Sequence, residues 1–209
     1  MKIQKYTPEY EDSWLRCRLL AYFYTSFYED VETSKPTFDG RPSIELIAVK
    51  DGTVVGLLDM VLDTEELKTS FLADGLGAFL KIIAVHPDYQ SQGIGHKLYE
   101  TALKELENTP IEFIELYTRG DKQANNFYKK LGFKLLLETY DVFGVEKVRD
   151  KPISIDGVKN KKLMATYENG EPCEFIMVDG VYEVYDLKAL DKIDYNRYYP
   201  ARGYYKKIK

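Results

Sequence analysis

The stretch from Phe79 to Glu107 constrains this chain more than any other. Phe79-Leu80-Lys81-Ile82-Ile83-Ala84-Val85 is short, apolar and β-branched, which predicts a strand buried on both faces. From Gly93 onward, Ile94, Leu98, Ala102 and Leu106 recur every four residues, so Gly93 to Glu107 reads as a helix with one apolar face. The turn between them, Gln90-Ser91-Gln92-Gly93-Ile94-Gly95, is built from small and polar residues. The first turn of a helix has N–H groups without internal partners and carries the positive end of the helix dipole. Gly93 and Gly95 lack a Cβ, so a ligand can come close to that backbone. Strand, glycine turn and helix start together predict a seat for a pyrophosphate. Leu98 stands where a dinucleotide-binding fold has its third glycine, and no Gly-Lys-Ser/Thr follows, so neither common nucleotide loop is present.

Around this centre the pattern runs strand (2–6), helix from Thr7-Pro8, strand (44–49), an Asp51-Gly52 hairpin turn and strand (53–62). The central strand and helix follow. Then come a strand (111–117), a helix (121–131) ended by Gly132, and a strand (133–140). This order predicts an α/β mixed sheet with helices on both faces. Thr7 is the expected cap of the first helix, Trp14 a core residue, and 24–39 a loop or short second helix broken by Pro36.

Gln90-x-x-Gly93-x-Gly95 after a strand ending at Val85 resembles the coenzyme A loop of the GNAT superfamily of N-acetyltransferases. Ala124-Asn125-Asn126-Phe127-Tyr128-Lys129-Lys130-Leu131-Gly132-Phe133 is similar to that family's second signature, at the right distance along the chain. The resemblance covers about residues 1–147 and leaves 148–209 as a β-rich, tyrosine-rich extension. It implies the acyl-coenzyme A N-acyltransferase fold and an acetyl-CoA-dependent N-acetyltransferase, with acetyl-CoA as acyl donor and no metal. By that resemblance the backbone at Ile83 and Val85 pairs with the pantetheine arm, and Gln90, Ser91, Gln92, Gly93, Ile94, Gly95 and His96 line the pyrophosphate seat. Tyr128 is the implied acid toward the leaving thiolate. One position departs from the family: an asparagine usually stands seven residues before the tyrosine, and here it is Asp121. Asp121, Asn125 and Asn126 are the candidates for that contact. The general base is not legible. Lys81 is the polar side chain of the central strand, while Glu45, Asp59, Glu115 and Asp141 could face the cleft through water.

A net charge of -5 gives no basic footprint for nucleic acid and suits a cationic or amine substrate. With the family resemblance, the expected acceptor is a small-molecule amine. A protein amine, or a non-catalytic acyl-CoA sensor, are the alternatives. Cys17 and Cys173 form no metal spacing and suggest a reducing compartment. No run approaches the ~20 apolar residues of a membrane span, and the N-terminus lacks a signal-peptide centre, so the reading is cytoplasmic. In the extension, 161–166, 174–178 and 181–185 read as strands, with turns at Asn169-Gly170 and Asp179-Gly180. Tyrosines cluster from Tyr182 to Tyr205, which suits a cap on the acceptor site, a homodimer surface or a small satellite β-unit.

Overall fold

The computed structural model describes residues 1–144, 152–167, 169–173, 175–178, 181–192 and 195–209. They form two compact units. The first comprises Met1–Ser70, Asp74–Leu116 and Lys207–Lys209, the second Phe71–Ala73 and Tyr117–Lys206.

In the first unit, β1 (Lys2–Lys5) is followed by a single 3-10 turn at Pro8–Tyr10 and by α1 (Glu11–Tyr22). Proline takes the first position of that turn, but the Thr7 side chain makes no capping bond, and the α-helix starts three residues later than the sequence predicts. Residues 24–39 form turns with no second helix. β2 (Ser43–Lys50) and β3 (Thr53–Leu62) are joined at Asp51-Gly52, whose φ values of 51° and 77° suit the mirror-image turn that matches strand twist. β4 (Gly77–Val85), α2 (Ile94–Leu106) and the start of β5 (Phe113–Arg119) complete the unit. The strand order is β1-β2-β3-β4-β5, antiparallel except for the parallel β4–β5 pair. Asp63 fixes the link from β3 to β4: its carboxylate accepts from the Thr69, Ser70 and Gly77 N–H groups.

Both faces of this sheet are covered. Trp14 and Cys17 of α1 pack with Ile47, Val54, Leu57, Ile82 and Ala84. Ile94 and Leu98 of α2 sit over Gly56, whose neighbour Leu57 faces the other way. All four apolar positions of α2, Ile94, Leu98, Ala102 and Leu106, are buried. β4 itself is not sealed on both sides, contrary to the sequence reading. Lys81 is exposed and Phe79, Ile83 and Val85 are half-buried, because much of the strand has a neighbour on one edge only.

In the second unit the order is the end of β5, then β11 (Tyr195–Lys207), β6 (Lys134–Gly144), β10 (Val181–Val184) and β9 (Phe175–Val178). β7 (Pro152–Lys159) and β8 (Lys162–Tyr167) form a separate antiparallel pair. α3 (Lys122–Lys130) ends at Gly132, φ 86°, with Phe133 N–H bonded back to the Tyr128 carbonyl. β11 pairs antiparallel with β6 from Tyr195↔Gly144 to Tyr205↔Lys134. The last strand of the 148–209 extension is thus a neighbour of β6. The Asp179-Gly180 turn lies outside the described residues.

Candidate functional site

Three backbone features converge on the end of β4. The first is its free edge. β4 pairs with β5 only at Gly77↔Phe113, Ala78↔Ile114 and Phe79↔Glu115, while Leu80 to Val85 continue beside β3. The second is a bulge. Leu80 pairs with Met60 and Ile82 with Asp59, so Lys81 is the extra residue. A bulge bends its strand and disrupts pairing locally, which turns the end of β4 away from a regular ladder.

The third is the turn into α2. Ser91 and Gly93 are both left-handed, at φ 60° and 76°. Gly93 occupies the N-cap of α2, and no side chain caps the helix start. A Cβ at Gly93 would meet nothing within 4 Å, so the space before the helix is open. This fits a ligand that brings its own acceptor oxygens to uncapped N–H groups. Gly95 follows in the first turn. Behind the seat, Ile94 is buried and anchors the helix on β3, where a Cβ at Gly56 would lie 2.8 Å from Ile94 Cγ2 and 3.1 Å from Leu98 Cδ1. Gly56 is thus a positioning residue that sequence reading missed, because its partner is 38 residues away and no local pattern announces it.

The other predicted cradle residues hold the turn together. Gln90 Nε2 donates to the Val85 carbonyl at 3.1 Å, and Gln92 Nε2 to the Asp88 carbonyl at 3.4 Å. His86 Nδ1 accepts from Asp88 N–H at 3.2 Å. His96 points along the helix to Glu100, 3.3 Å away.

Residues predicted from the second signature lie in the other unit. Asp121 is the N-cap of α3, without a side-chain capping bond. Asn125 is buried and fully engaged: Nδ2 donates to the Arg119 and Asp121 carbonyls at 2.7 and 2.8 Å, and Oδ1 accepts from Tyr204 Oη at 2.8 Å and Arg202 at 3.3 Å. Asn126 is exposed. Tyr128 is buried against Phe127, Phe133 and Tyr204. Of the four carboxylates weighed as bases, Asp59 and Glu115 are fully buried. Asp141 is paired with Arg119 at 2.8 Å and Glu45 with Lys35. Cys17 is no nucleophile, since burial pushes its thiol up to about 12. Among the described residues no group of three or more His, Cys, Asp or Glu side chains could hold a metal, and no helix is long and apolar enough to cross a membrane.

The model of a family described as "Acetyltransferase (GNAT) family" matches residues 4–133, more than half of the chain. The protein belongs to the GNAT family of acetyltransferases. The match ends at the start of β6, so most strands of the second unit lie beyond it. Among curated proteins, the chain is 43% identical over 51 residues to an uncharacterized N-acetyltransferase ycf52 of Gracilaria tenuistipitata var. liui, covering 24% of this chain and 27% of that one. The chain spans between about a quarter and a half of the length of the curated relatives it matches. Among solved structures, smu.2055 from Streptococcus mutans UA159 aligns at a TM-score of 0.56 with 16% identity, covering 100% of both chains. The ribosomal-protein-S18-alanine N-acetyltransferase of Escherichia coli aligns at 0.54 with 15% identity, covering 100% of this chain and 94% of that one. At these identities the likeness is one of fold.

Proposed function

We propose that this protein is an acetyl-CoA-dependent N-acetyltransferase that transfers the acetyl group to a primary amine of a small molecule, by direct attack in a ternary complex. The observation that carries this reading is the uncapped, open start of α2 at left-handed Gly93, placed at the end of a strand whose last six residues have a free edge. An uncapped helix start suits the diphosphate of coenzyme A. A free strand edge suits the amide-bearing pantetheine arm, which can add to it like another strand.

In this reading Gly93, Ile94, Gly95 and His96 offer backbone N–H groups to the diphosphate, and Ser91 and Gln92 flank them. Gln90 holds the Val85 carbonyl and so fixes the turn. Ile83 and Val85 present backbone to the pantetheine arm. Asn126, exposed on α3, is the available amide of the second signature, whereas Asn125 keeps α3 and β11 in place. Tyr128 serves the departing thiolate. An amine attacking a thioester must be uncharged, in line with the carbonyl, and matched by a donor to the carbonyl oxygen. The acidic balance of the chain, -5, favours a cationic acceptor.

The test is release of coenzyme A thiol from acetyl-CoA over a panel of primary amines, from methylamine and diamines to peptides with free N-termini. Release above the amine-free rate with small amines supports the reading. Activity with peptides alone moves the acceptor to the protein class, and tight acetyl-CoA binding with no release from any amine makes the protein a sensor.

A further inference from the structure

A surface helix is ordinarily apolar on one side and polar on the other. In α1 the buried side is Trp14, Cys17 and Arg18. The opposite side begins as expected, with Asp12 and Arg16 exposed. From Leu19 onward it does not. Leu19, Leu20 and Phe23 stand in solvent, and Tyr24, Tyr28 and Val31 extend the apolar surface into the turns that follow. Phe23, Tyr24 and Val31 are 57%, 86% and 56% exposed. Six of the thirteen large apolar side chains that are exposed among the described residues thus fall within residues 19–31, a concentration and not the usual scatter.

These residues are held in place by their own contacts. Arg18 reaches from α1 to Asp30, donating to its backbone carbonyl at 2.6 Å and to its carboxylate at 2.8 Å, with the guanidinium over the Tyr22 ring. Thr25 Oγ1 donates to the Tyr22 carbonyl at 2.9 Å and accepts from the Phe27 N–H at 3.1 Å. The Phe23 and Tyr24 rings meet edge to face with centroids 4.9 Å apart. Groups ordered in advance lose little freedom on association, which lowers its cost. At about 150–250 Å² for a whole aromatic side chain, the exposed fractions add up to an area on the order of 600 Å². A standard interface takes about 800 Å² from each partner, and in homodimers about 65% of it is apolar. The patch is large enough to supply that apolar part.

Charge selects the occupant. Arg16 lies on the α1 side of the patch, while Glu29, Asp30 and Glu32 lie at the other end. Two copies related by a two-fold axis beside Leu19 and Leu20 run their α1 helices antiparallel. Each Arg16 then meets the Phe23 and Tyr24 rings and the acidic turn of the other copy, a cation–π contact and a charge attraction made twice by symmetry. Asp12 lies one turn further from the axis. A parallel pairing sets Arg16 against Arg16, and an anionic membrane surface is repelled by the three carboxylates.

We propose that this protein forms a homodimer through the outer face of α1 and residues 23–31, with Leu19, Leu20 and Phe23 at its centre. The inference concerns assembly and does not depend on the transferase reading.

The experiment is sedimentation velocity of the full chain over the micromolar range. The wild type is expected to sediment as two chains at the upper end and to dissociate on dilution. Leu20→Glu and Phe23→Glu, both at exposed positions, should keep the circular dichroism spectrum and each raise the dimer dissociation constant at least about tenfold. Leu20→Cys should give a disulfide-linked dimer on mild oxidation, because Cys17 and Cys173 are buried, whereas exposed Lys104→Cys on α2 should not. A wild type that sediments as one chain throughout overturns the proposal. So does a dimer that Leu20→Glu and Phe23→Glu leave unchanged, since it is then built on another surface. A single-chain wild type in which Phe23→Glu alters only the KM for the amine gives the patch to the acceptor and overturns the proposal as well.

Discussion

Asp59 is a carboxylate fully buried on β3, an environment that disfavours its charged form. Burial pushes its carboxyl up to about 6, against 3.8 for an ordinary aspartate. Between those two values the folded chain holds a proton that the unfolded chain has released. Stability from this group is therefore fully present below about pH 4 and is lost as pH rises through about 6, by roughly 3 kcal/mol at about 1.4 kcal/mol per unit. Urea unfolding of wild type and Asp59→Asn at pH 4 and pH 7 measures this. The wild type should lose stability relative to the variant over that interval, and a constant difference contradicts the assignment. Asn125 makes the opposite case, since every polar atom of its side chain is paired within its own unit. Tyr204→Phe removes the buried 2.8 Å bond to its oxygen and should cost about 1–2 kcal/mol. Acetyl-CoA affinity should stay within about twofold in the same variant if Asn125 acts as a holder, a change worth well under 1 kcal/mol. The second signature placed Asn125 in the right helix, but its role depends on Tyr204, 79 residues later, which no local pattern can reveal.

At the scale of elements, the sequence was most legible where periodicity and turn chemistry agreed. The α2 stripe, the Asp51-Gly52 turn and the Gly132 helix stop each have a local cause, and each lies where that cause puts it. The start of α1 was less legible, because Thr7 and Pro8 suit a cap but lead into a 3-10 turn instead. The bulge at Lys81 was not legible, being a property of the β3–β4 register rather than of the β4 residues. The support of α2 by Gly56 is of the same kind. Gly56→Ala should push Ile94 off β3, destabilising the fold by about 1–3 kcal/mol. Acetyl-CoA should then bind more weakly, because the helix start shifts with its anchor. Thermal unfolding with calorimetric titration reads both effects, and unchanged affinity would contradict the link between Gly56 and the seat.

For the whole molecule, the order of elements in the first unit was legible in the sequence, and part of the second was not. The strands at 162–167, 175–178 and 181–184 were anticipated, whereas β7 and the long β11 were not. β11 mixes tyrosine, proline, arginine and glycine, a composition that reads as loop or binding surface until β6 supplies its partner. Its register with β6 predicts that residues 1–147 alone leave β6 without that neighbour and Tyr204 absent from the core. Such a fragment should be aggregation-prone and lack a cooperative thermal transition, which circular dichroism and light scattering would detect. A fragment that melts cooperatively would show that the first 147 residues suffice. The central claim concerns Gly93, and titration of acetyl-CoA into wild type and Gly93→Glu by calorimetry tests it most directly. The wild type should bind saturably, and the variant, with a carboxylate in the open space before α2, should bind at least tenfold more weakly, about 1.4 kcal/mol or more. Its unfolding temperature should fall only by the modest cost of a side chain at φ 76°. Equal affinity in the two proteins would contradict the account.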